Sequence, residues 1–240
     1  MQQWQQITAS SWLVVFSVLG FSAGIFIYRR SGKHPLCHPL IISTPLISLA
    51  LYALDIDYGH YYQANGVFNW LLGAATVALA VPLSQQLKKL SVLWPTISIA
   101  VLSGGLFAAF SALIIGSWLS IEPIAIFSLA AKSVTTPIAM ILTEQLGGLI
   151  TLITVLVLFT GIIGIIVAQP IFNAFSLHDE RWQGLILGVT AHAIGTLKAF
   201  EKSPRCGAFS TIGMGLNGIW TALFLIPLVE AFGPCKIMLL

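Results

Sequence analysis

The sequence predicts an all-α, polytopic membrane fold, and three observations carry the prediction. Of 240 residues, 57% are hydrophobic and only 8% charged, and the mean hydropathy is +0.93, far from the balance of a soluble domain. Apolar runs recur at about the 20 residues that a helix needs to cross a hydrocarbon core of roughly 30 Å. The ~10-residue alternating segments of a membrane barrel do not occur. About eight helical segments follow, near residues 11–28, 36–54, 67–83, 90–118, 123–142, 149–172, 184–200 and 208–232, forming one transmembrane domain over 1–240. Their connections are too short to hold a folded core, so any chemistry lies among the helices.

The first segment follows Met1-Gln-Gln-Trp-Gln-Gln6, which has no positive region, and precedes Arg29, Arg30 and Lys33, so it is expected to be a retained span and not a cleaved signal peptide. Before the second segment, His34-Pro-Leu-Cys-His38 resembles a metal-ligand cluster. Pro35 distorts the i,i+4 spacing and no carboxylate follows, so a solvated loop is the better reading, as it is for Asp55-Ile-Asp-Tyr-Gly-His60. The third segment, Leu72-Gly-Ala-Ala-Thr76 to Pro82, pairs an early glycine with a late proline. It is expected to be discontinuous between Thr76 and Pro82, with Thr76 as its polar contact.

The fifth segment carries the strongest signal. Lys132 stands alone in an apolar and hydroxylated stretch, where an ammonium at mid-bilayer costs roughly 2.5–3.5 kcal/mol and normally faces a polar pathway. Pro137 lacks an amide proton and crowds the preceding turn, so the helix should break between Ser133 and Thr136. A half-helix restarting at Pro137, with Thr136 as N-cap, would aim unpaired N–H groups and its positive dipole end at the gap. With Lys132 and the hydroxyls of Ser133, Thr135 and Thr136 beside it, the break offers what a small carboxylate needs. The alternative is a proline kink whose hydroxyls satisfy freed carbonyls.

The sixth segment, with Phe159-Thr-Gly-Ile-Ile-Gly164, reads as helix packing. In the seventh, Gly188-Val-Thr-Ala-His192-Ala-Ile-Gly195-Thr196 places a histidine between two glycines that permit an unwound turn. Its imidazole could donate to a carboxylate or couple transport to protons, or it could be a hydrogen-bonded core group. Lys198 can snorkel to the headgroups. The eighth segment is rich in small residues for close packing, and Asn217 adds a buried amide that either bonds across helices or lines a path.

Leaving out Lys132 and Lys198, one side of the membrane receives Arg29, Arg30, Lys33, Lys88, Lys89, Lys202 and Arg205, and the other receives Arg181 and Lys236. That bias predicts both termini outside the cytoplasm and accounts for the net charge of +3 without a nucleic-acid partner. Cys37, Cys206 and Cys235 form no disulfide or metal pattern. With no phosphate loop, His-Glu-x-x-His or Gly-x-Ser-x-Gly elbow, an enzyme is not expected, and neither a metal nor another cofactor is called for.

Leu72-Gly-Ala-Ala-Thr-Val-Ala-Leu-Ala-Val-Pro-Leu83, Lys132-Ser-Val-Thr-Thr-Pro-Ile-Ala-Met140, Ala191-His-Ala-Ile-Gly-Thr196, Gly207-Ala-Phe-Ser210 and Met214-Gly-Leu-Asn-Gly218 occur in an order that resembles the LrgB/CidB family of bacterial membrane proteins. The similarity covers most of the chain from about Tyr58 onward. Ala74, Ala131 and Lys198 depart from the prolines and arginine common at those places. The resemblance implies a multi-pass protein of the bacterial inner membrane that controls murein hydrolases and autolysis with a small holin-like membrane partner of the LrgA/CidA type. Plastid relatives exchange glycolate and glycerate, and pyruvate movement is associated with the bacterial pairs. Self-association as a homo-oligomer stays open.

Two functions compete. One is a secondary transporter or exchanger of small monocarboxylates, 2-hydroxy acids or pyruvate-like, bound by Lys132, Ser133, Thr135, Thr136 and the N–H groups after Pro137, with His192 and Thr196 across the site and Thr76 and Asn217 as further contacts. The other is an antiholin-like regulator of murein hydrolase activity. A passive channel would need a continuous polar stripe, which the sequence lacks.

Overall fold

The computed structural model describes residues 2–32, 34–78 and 93–232, all helix, turn or loop. Thr76 lies on a described helix, but its side chain is outside the described set, as are Lys33, Pro82, Lys88, Lys89, Cys235 and Lys236. The expected break between Thr76 and Pro82 therefore lies outside the described residues. The chain divides into two compact units, Met1–Ala78 and Leu79–Leu240.

In the first unit, α1 (Gln2–Arg30) ends on Arg29 and Arg30, cations that suit the negative end of a helix dipole. It runs antiparallel to α2 (Pro39–Ala53), with Gly24 against the Pro39 backbone and Gly20 against Ile47. His38 caps α2 by accepting from the Leu40 N–H, and His34 accepts from that of Leu36, so the His34–His38 cluster serves a helix start. The stretch expected as a loop at Asp55–His60 instead starts a short helix, α3 (Tyr58–Ala64), because the Asp57 carboxylate caps it through the His60 N–H at 3.0 Å. Ser17, Tyr61 and Asn65 close a hydrogen-bond network between α1 and α3, and α4 (Gly66–Ala78) follows.

The second unit contains α5 (Trp94–Trp118), α6 (Pro123–Ala130), α7 (Thr136–Gln145), α8 (Ile150–Ala174), α9 (Glu180–Lys202) and α10 (Pro204–Phe232). Of these, α5, α8 and α10 are long and apolar enough to cross a membrane. The segments between them do not cross. If α6 and α7 continued one another, Ser128 and Leu149 would stand about 31 Å apart at 1.5 Å per residue. The Leu149 N–H instead donates to Ser128 Oγ at 2.7 Å, so the chain turns back within residues 131–135. In α9, Lys202 Nζ bonds Gln183 Oε1 and Ser203 Oγ donates to Glu180 Oε2 at 2.6 Å, although a straight helix would separate each pair by about 30 Å. The reversal is at His192, whose φ of 40° and ψ of −125° lie outside any helix.

Both segments are thus re-entrant helical hairpins, and this corrects their reading as spans. They open at opposite ends of α8. Hairpin 1 (residues 123–149) enters beside the last turns of α5, where Gly116 meets Ile126, and leads into the start of α8. Hairpin 2 (residues 180–203) follows the end of α8 and lies back along it, with Ala191 against Gly164 and His192 against Gly161. Two apolar clusters hold the hairpins. Ile126, Ala131, Val134 and Leu142 of hairpin 1 pack with Leu113, Val157 and Leu225, while Leu185 and Val189 of hairpin 2 pack with Ile97, Val101 and Ile212. The hairpin geometry also moves Arg181 to the same end as Lys202, not the opposite side that a span would require.

Candidate functional site

The break in hairpin 1 falls where Pro137 demands it. Residues 131–135 leave the helical path and α7 restarts with Thr135 as N-cap, one residue before the expected Thr136, because Pro137 takes the second helical position. No side chain caps this end. The Ala139 N–H bonds the Thr135 carbonyl and Pro137 has none, which leaves the N–H groups of Thr136 and Ile138 open within the helix.

Lys132 extends to the middle of α5, where its Nζ donates to the Ala108 carbonyl at 3.1 Å. Among the described residues it meets no carboxylate, since the ion pairs there join Asp179 to Arg181 and Glu201 to Lys198. Thr135 Oγ1 is buried without a hydrogen-bond partner. Asn217, at the middle of α10 and 1% exposed, sends Nδ2 to the Ser133 carbonyl at 2.9 Å and to the Val189 carbonyl at 3.4 Å, while its Oδ1 is buried and unpartnered. Its neighbour across the gap is Gly105, one turn before Ala108 on α5, where a Cβ would stand 2.6 Å from Oδ1. Lys132, Ser133, Thr135 and Asn217 are therefore gathered at the tip of hairpin 1, with the start of α7 at its edge.

His192 and Thr196 form a second, satisfied group. His192 Nε2 lies 3.0 Å from the Val157 carbonyl, and because a carbonyl only accepts, that nitrogen carries the hydrogen. Val157 also packs against the tip of hairpin 1, so the imidazole reaches the wall behind the break and spends its Nε2–H there. Thr196 Oγ1 donates to the His192 carbonyl at 2.8 Å and lies 3.0 Å from Ser210 Oγ. A Cβ at Gly188 would overlap the Ser210 carbonyl and one at Gly195 the Leu187 carbonyl, so glycine is required where the hairpin closes on itself and on α10.

Sequence reasoning missed Ala108, Gly105 and Ser210. Ala108 and Gly105 carry no polar side chain to mark them, whereas Ser210 sits in the Gly207-Ala-Phe-Ser210 motif and was legible there. At the mouth of hairpin 2, the Arg181 guanidinium holds the Asp179 carboxyl down at about 2 through hydrogen bonds of 2.9–3.0 Å. No group of three metal-ligating side chains gathers among the described residues.

The chain is 33% identical over 183 residues to Uncharacterized protein YwbG of Bacillus subtilis, covering 76% of this chain and 81% of the relative. It is 29% identical over 225 residues to Holin-like protein CidB of Staphylococcus epidermidis, covering 90% and 97%. With Antiholin-like protein LrgB of Bacillus subtilis it shares 24% over 220 residues, covering 92% and 95%. No solved structure matches. The model of the LrgB-like family matches residues 17–231, a span that holds both hairpins and every group at their tips, and the chain belongs to that family.

Proposed function

We propose that this multi-pass membrane protein is a secondary transporter or exchanger of small monocarboxylates, and that the tips of the two hairpins enclose its substrate. One observation supports the reading above the rest: a cation, a hydroxyl and an amide oxygen are left unfinished at a single helix break. A buried polar group without a partner costs about 1–3 kcal/mol, which a ligand bearing the missing groups recovers. Lys132 and the open N–H groups of Thr136 and Ile138 suit a carboxylate, while Thr135 Oγ1 and Asn217 Oδ1 accept from a hydroxyl on the neighbouring carbon. Since the hairpins open at opposite ends of α8, each tip can admit the substrate from a different face, as alternating access requires. The hairpin geometry puts Arg181 with Lys202 and Arg205, which supports assigning that end to the cytoplasm of the bacterial inner membrane.

Uptake of a labelled 2-hydroxy acid by the purified protein in liposomes tests the proposal, with acetate, glycolamide and a dicarboxylate as competitors. Saturable uptake is expected, inhibited by acetate more than by glycolamide. Equal competition by glycolamide overturns the electrostatic account. A second reading draws on the names of the relatives, Holin-like protein CidB and Antiholin-like protein LrgB: a regulator of murein hydrolase activity acting with a small holin-like membrane partner. Absence of saturable uptake with any carboxylate would favour that reading.

A further inference from the structure

We infer that Asn217 is a latch that ties the tips of both hairpins to α10, so that one carboxamide governs whether the gap between them is shut. Each carbonyl it meets has been orphaned by a chain reversal. Ser133 lies within the non-helical residues 131–135 of hairpin 1. Val189 stands in the last turn before the reversal at His192, where a continuing helix would have supplied an N–H from the residue four places on. Nδ2 carries two hydrogens, one for each carbonyl, at 2.9 and 3.4 Å. No other residue described at the site bonds both hairpins.

The remaining atom of the same side chain, Oδ1, is buried and unpartnered, with Gly105 of α5 beside it. A donor bound there completes the carboxamide, and polarisation through it strengthens the two N–H bonds. Occupancy and closure are thereby linked. This linkage rests on the substrate site proposed above, whereas the latch rests only on the geometry of the tips.

Amide hydrogen exchange of the full-length protein in lipid nanodiscs tests the latch without any substrate. Two variants are compared with the parent: Asn217→Leu, which has similar volume and no donor, and Asn217→Met, which has no donor and a flexible side chain that packs differently. Peptides covering residues 131–136 and 190–196 should both exchange about tenfold faster in each variant, the effect of losing one hydrogen bond at each tip, while α5 and α8 exchange as before. Faster exchange at one tip only, or at neither, overturns the inference. So does acceleration throughout the unit in both variants, which would make Asn217 a general packing residue. Since no carboxylate enters the assay, this result and the uptake experiment can fail independently.

Discussion

The two hairpins solve the same geometric problem in opposite ways. Hairpin 1 reverses over five residues in front of a proline and leaves Thr135 Oγ1 unpartnered and Lys132 with a carbonyl in place of an anion. Hairpin 2 reverses at a single non-glycine residue with positive φ, a conformation that costs about 1–3 kcal/mol, and surrounds it with satisfied bonds from His192 to Val157 and from Thr196 to His192 and Ser210. An unfinished tip is suited to receiving a ligand. A strained but completed tip is suited to holding its shape.

The largest effect expected of this contrast is functional. Lys132→Met removes the only cation at the tips among the described residues while nearly keeping volume, so carboxylate affinity should fall at least about tenfold with insertion intact, as loss of a charge-assisted bond implies. Unchanged affinity in binding or uptake assays would erase the distinction between the tips.

Next come two threonines that should respond in opposite senses. Thr196→Val breaks bonds to the His192 carbonyl and Ser210 and should lower stability by about 1–3 kcal/mol. Thr135→Val removes a hydroxyl with no partner, so stability should hold or rise while binding of a hydroxylated carboxylate weakens. Thermal unfolding in detergent compares them, and equal destabilisation would count against an unfinished first tip.

A smaller effect is expected at the reversal itself. His192→Gly loses the bond to Val157 but relieves the left-handed strain, so it should lie within about 1 kcal/mol of the parent and above His192→Ala, which loses the bond and keeps the strain. The reverse order would show that strain is not the governing term.

The smallest concerns the mouth of hairpin 2. The Asp179 carboxyl is held at about 2 against an ordinary 3.8, so its pairing with Arg181 stabilises the folded state above about pH 4 and fades as pH falls towards 2. Asp179→Asn should therefore lower the melting temperature slightly at pH 6, with the difference vanishing near pH 2. A difference that persists in acid would show that the carboxylate charge is not what the substitution removes, since asparagine can still accept from the Arg181 N–H.

How much of this was legible depends on where a residue's chemistry is written. Lys132 and Pro137 announce the first break because a charge and a missing N–H are properties of the residues themselves. The second break was visible only as a histidine between glycines, and the identity of the left-handed residue was not, since His192 is held there by Val157 and Gly161 from a distant helix. Hydropathy drew both segments as apolar runs but could not tell a hairpin from a span, because a chain reversal leaves no mark in composition. That required the bonds from Ser128 to Leu149 and from Gln183 to Lys202, which link residues far apart in the chain.

The paired reversals also change sidedness in a way that the ends of the unit conceal. Five crossings between Trp94 and Phe232 and three crossings are both odd numbers, so a reporter attached after Phe232 gives the same signal for either topology. Only α8 runs the other way. The segments that exchange faces are 146–149 and 175–179, and a label at either one discriminates where a terminal fusion is blind.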